Sequence, residues 1–134
     1  MASRALLMSD NKEYEQELLG RDARQKHLDA IADAAMTRVM SAIAGRQPSV
    51  SSHFSYGASA IHPRHLVTWY LFGTDAEWET AKTNGLIADI ERLTRAELVI
   101  GGYSAEGAQQ MMVCFTSDED IQRETGGDYW AYFK

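Results

Sequence analysis

The stretch HLVTWYLF, residues 65–72, constrains the fold more than any other part of this chain. It is β-branched and aromatic, and apolar at both odd and even positions, so a strand built from it has no side to give to water. It reads as a central strand with cover on both faces, and Gly73 ends it. A central strand needs partners. MMVCFT, residues 111–116, supplies one, and the closing run DYWAYFK, 128–134, reads as another. VSSHFSY, 50–56, alternates weakly and reads as an edge strand.

Helices fill the intervals. Leu28, Ile31, Ala32, Ala35, Met36, Val39, Met40 and Ile43 follow the i, i+3, i+4 rule, with Gly45 and Pro48 as stop signals. Upstream, Tyr14, Leu18 and Leu19 form a short apolar stripe, Asp10 and Glu13 have capping-box spacing, and Gly20 reads as a break or kink. Thr74 and Glu77 form a second capping box. The helix it opens is interrupted at Thr83-Asn84-Gly85. The pattern resumes with Leu86, Ile87, Ile90, Leu93 and Leu98, until Gly101-Gly102 stops it. A short helical piece follows in SAEGAQQ, and Ser117 caps the acidic helix DEDIQRET before Gly126-Gly127 turns the chain. The expected fold is α+β: N-terminal helices over 1–45, a loop over 46–64, then β-α-β-α-β over 65–134, in one domain with a three- to four-stranded sheet packed against helices.

The chain has 134 residues and a formal net charge of −6, with 13 Lys+Arg against 19 Asp+Glu. A nucleic-acid binder needs a basic face, so that class is disfavoured. The apolar stretch ALLM is too short for a signal peptide, no run is long enough to span a bilayer, and the one cysteine, Cys114, sits in an apolar run as a buried thiol. A cytoplasmic protein with no membrane partner is the expectation.

Catalytic constellations are thin. His62 and His65 have a ligand-like spacing, but Pro63 prevents a regular helix and no acid or cysteine completes a set. His53 among Ser51, Ser52 and Ser55 has no nucleophile elbow around it. GGYSAEG lacks the lysine of a phosphate loop and reads as helix termination. The reading is a non-enzyme without cofactor or metal. The aromatic set is richer: Trp69, Tyr70, Trp78, Trp130 and Tyr132 pack a core or anchor an interface.

From residue 62 onward, HPRHLVTWYLFGTDAEWETAKTNGL joined to FTSDEDIQRETGGDYWAYFK resembles small bacterial immunity proteins of polymorphic toxin systems. The resemblance rests on Trp69, Tyr70 and Phe72, on GL at 85–86, on GY at 102–103 and on GGDYWAYFK. It implies a protein that binds a cognate toxin and blocks its active site or substrate access. On that reading Asp118, Glu119, Asp120, Glu124 and Asp128 are the charged contacts, occupying a cationic groove of the toxin, and Trp130 and Tyr132 are the anchors. The alternative is a small ligand-binding or regulatory module, a homodimer joined through an edge strand.

Overall fold

The computed structural model describes residues 2–134, with side chains from residue 12 onward. It is an α+β fold: a mixed three-stranded sheet with helices packed on it. Strand β1 (Val50–Tyr56) pairs antiparallel with β2 (Val67–Phe72), and β2 pairs parallel with β3 (Met112–Ser117), in the order β1-β2-β3. The β2 run is central, as its two-sided apolar pattern predicts. The alternating VSSHFSY run is an edge strand, so residues 46–64 are not loop throughout. Gly57, just after β1, has φ +125°, and a Cβ there would stand 2.1 Å from the His65 carbonyl oxygen.

Helix α1 (Ala2–Ala42) runs through Gly20 without a break, against the kink expected there. A single glycine costs a helix about 1 kcal/mol, which does not stop one anchored further along. The capping reading of Asp10 with Glu13 lies outside the described side chains. Helices α2 (Asp75–Thr83) and α3 (Leu86–Ile100) meet at the Asn84-Gly85 interruption, and Thr74 Oγ1 accepts from the Glu77 amide as the capping box requires. A one-and-a-half-turn helix α4 (Ala105–Gln110) precedes β3, and α5 (Asp118–Thr125) begins on the Ser117 cap.

The closing run departs from expectation. DYWAYFK is not a strand but one helical turn, α6 (Tyr129–Tyr132), capped by Asp128. Its alternating aromatics carry strand propensity, but Gly126 and Gly127, with φ of +66° and +94°, turn the chain away from the sheet edge. Phe133 then packs on Phe54 and Trp69, and the Tyr132 hydroxyl meets Thr116, so the run covers the sheet instead of extending it. A strand here would have put Tyr129, Ala131 and Phe133 on one face and Asp128, Trp130 and Tyr132 on the other; the helical turn does not separate them so.

One face of the sheet is closed by α1, α2 and α3. Met36, Val39, Ile43, Ala81, Leu86 and Ile90 pack on Tyr70 and Phe72. A second cluster joins α1, α3 and α4: Ile31, Ala32, Ala35, Leu98, Tyr103, Ala108 and Met111. Within the first, the Thr94 hydroxyl donates to the Ile90 carbonyl at 2.7 Å, so the proton in the 2.7 Å contact between Tyr70 and Thr94 comes from the tyrosine. Burial pushes the Tyr70 pKa up to about 12.

The opposite face carries Phe54 and Tyr56 of β1, Val67, Trp69 and Leu71 of β2, and Met112, Cys114 and Thr116 of β3, by the register of the ladders. Its cover is smaller. Phe133, next to α6, stands edge-on at 4.8 Å to both Phe54 and Trp69. Cys114 is half-buried there, and burial raises its thiol pKa, which leaves it protonated and unreactive at neutral pH.

Candidate functional site: an acidic network beside an aromatic groove

The start of α5 gathers acids for a local reason: carboxylates in a first helical turn complement the helix dipole. Tertiary structure then uses their oxygens. Asp118 accepts from the Tyr129 hydroxyl at 2.6 Å and lies 2.8 Å from the Ser51 hydroxyl of β1. Asp120 accepts from the Tyr132 hydroxyl at 2.5 Å and pairs with Arg123. Because Tyr132 spends its proton on Asp120, the Thr116 hydroxyl donates to Tyr132 at 2.7 Å. Arg123 also reaches Asp75 at 2.8 Å, and Ser117 donates to the same carboxylate at 2.5 Å. Glu119 accepts from the Asp75 amide at 3.3 Å.

Four carboxylates, Asp75, Asp118, Glu119 and Asp120, thus converge with one guanidinium, Arg123, and the patch stays negative. Its electrostatics follow from these contacts. Arg123 and then Ser117 hold the Asp75 pKa below the usual carboxylate range. The Tyr132 hydrogen bond, and then Arg123, do the same for Asp120. The phenols shift the other way: Tyr129 is raised chiefly by its bond to Asp118, and Tyr132 by burial and then by Asp120.

Of the seven residues expected to meet a partner, the structure gathers Asp118, Glu119, Asp120 and Tyr132 into this network. Asp128 is exposed but caps α6, and Glu124 is exposed on α5. Trp130 is 80% exposed. The two expected anchors therefore differ: Tyr132 is turned inward and half-buried, while Trp130 stands in solvent.

Beside the network lies a groove of about 620 Å³, lined by Phe54, Ser55, Tyr56, Tyr129, Trp130, Phe133 and Lys134. Sequence reasoning missed Phe54, Tyr56, Tyr129, Phe133 and Lys134. Two signals pointed to four of them: Phe54 and Tyr56 share a strand face, and Tyr129 and Phe133 are four apart, one helical turn. The histidines lie elsewhere. His62 Nδ1 accepts from the Arg64 amide at 3.1 Å, His62 and His65 rings are 5.9 Å apart, and His53 packs beside Tyr70. Among the described residues no cluster of three or more His, Cys, Asp or Glu could hold a metal ion. The site offers apolar area, hydroxyls and negative charge, the means of recognition.

Compared with known proteins, the chain matches no family model, no curated protein and no solved structure.

Proposed function

We propose that the chain is a non-catalytic inhibitor of another protein: an immunity protein that neutralises a cognate toxin by covering its active site or the path of its substrate. The observation that carries this reading is Trp130. A tryptophan 80% exposed beside an apolar groove and an acidic patch has the makings of an interface anchor, because it buries large area at small entropic cost. The net charge of −6 favours a basic partner and fast association with it. No helix among the described residues is long and apolar enough to cross a membrane, and a cytoplasmic site of action belongs to the same proposal.

The test is to tag the chain, express it together with the genes that adjoin its own, and purify it gently. A second polypeptide eluting at one to one, toxic when produced alone and harmless with this chain, is the expected result. Elution without any such partner would sink the reading.

A second reading is a homodimer through β1. That strand carries no Lys, Arg, Asp or Glu, so charge does not oppose a two-fold pairing along it. Sedimentation at micromolar concentration decides: a single species of 15.0 kDa excludes it.

A further inference from the structure

We infer that the β1 edge and the aromatic groove form one site, which takes an extended segment of the partner as a fourth strand. This rests on the reading of the same face as a partner surface and specifies how it binds. Three observations converge. The edge of β1 away from β2 carries no strand, and among the described residues no loop or side chain is hydrogen-bonded to the backbone of Val50–Tyr56. The edge carries no Lys, Arg, Asp, Glu or proline, and its one irregularity, a register shift between Val50 and Ser52, leaves Ser52–Tyr56 as a regular stretch open to strand addition. The groove takes in the last three residues of that strand, Phe54, Ser55 and Tyr56. Ser55, which points to the opposite face from Phe54 and Tyr56, lines it too, so the groove wraps over the backbone itself.

These features select the occupant. A compact ligand would fill the aromatic pocket and leave the backbone edge to water. An extended peptide satisfies both: its backbone pairs with β1, and every second side chain points into the groove. The volume, about 620 Å³, holds apolar side chains at two such positions, with Trp130 closing over them. Charge sets the rest. Asp118 stands against Ser51, at the beginning of β1, so a Lys or Arg of the segment belongs at that end.

The probe is a library of random linear peptides, displayed and selected on the folded chain. Enriched peptides should carry apolar residues at alternate positions and a terminal Lys or Arg. They should slow the exchange of alternate backbone amides in Val50–Tyr56, and binding should weaken as salt is raised. Trp130→Ala, which removes an exposed side chain, should leave the melting temperature unchanged and weaken peptide binding by about tenfold or more. Three results would overturn the inference: no enrichment, enriched peptides that leave β1 exchange unaltered, or protection of β1 without peptide as the chain dimerises. If a toxin partner is found and protects another face, strand addition is wrong while the inhibitor reading stands. If no toxin partner exists yet peptides bind along β1, the reverse holds.

Discussion

Tyr132 and Trp130 stand two positions apart in one helical turn and do opposite work. Tyr132 bridges Asp120 and the buried Thr116 hydroxyl. Tyr132→Phe keeps the ring but leaves Thr116 a donor without its acceptor, and costs roughly 1–3 kcal/mol. Urea denaturation should show the midpoint falling with the slope unchanged. Tyr70→Phe removes a donor to Thr94, whose own proton still reaches Ile90, so the loss should be smaller, about 1 kcal/mol. Trp130→Ala should move stability by no more than about 0.5 kcal/mol, as befits a surface side chain. A large loss there would make Trp130 a packing residue and remove the main support for an interface.

At the scale of elements, α6 is a single turn whose place depends on hydroxyl-to-carboxylate bonds, and these titrate. The folded pKa of Asp120 is depressed, so its contribution is present above its ordinary value of 3.8 and is lost as pH falls through the lower folded value. Tyr129 and Tyr132 are raised above 10.0, so theirs is complete below pH 10.0 and lost as pH climbs through the raised values. Ionised phenolates would then face Asp118 and Asp120. The near-ultraviolet signal of the Phe133, Phe54 and Trp69 cluster should therefore be flat between pH 5 and 9 and fall beyond both extremes. A transition near pH 7 would assign the docking to other groups. The same bonds explain what the sequence conceals. Strand β2, the Thr74 and Ser117 caps and the periodic faces of α1 and α3 were legible because local pattern and tertiary role agree in them. DYWAYFK was not, because its alternation argues for a strand while acceptors distant in sequence, Asp118 and Asp120, favour a helical turn. The acids of the site were visible as a run. Their hydroxyl partners were not, since no local rule pairs Ser51 with Asp118 across 67 positions.

For the molecule as a whole, α1 joins a packed half to an exposed one. From Gln25 onward it is held: Gln25 donates to the Gly57 carbonyl and Ser59 hydroxyl and accepts from the Ala60 amide, each at 3.0 Å, and Ala32, Ala35, Met36 and Val39 are buried. From Lys12 to Arg24 every residue but Gly20 is exposed, with Tyr14 and Leu19 more than 60% so. The anchored half supplies the helix nucleus, so the exposed half needs only to propagate. Propagation in water is close to balanced per residue, and Gly20 adds about 1 kcal/mol against it. Amide exchange should therefore fall into two classes along one helix: slow from Ile31 to Ile43, and faster by orders of magnitude from Lys12 to Arg24. Removing the residues before Gln25 should leave the melting temperature within about 2 °C of the full chain, since Lys12–Arg24 are exposed at every position but Gly20. Gln25→Ala in the full chain should cost more than that entire truncation, because it frees Ser59, which is buried, and the loop after β1. Uniform protection along α1 in the isolated chain would contradict this. It would mean that Tyr14, Leu18 and Leu19 are covered in solution, and the partner covering them would be a second copy of the chain.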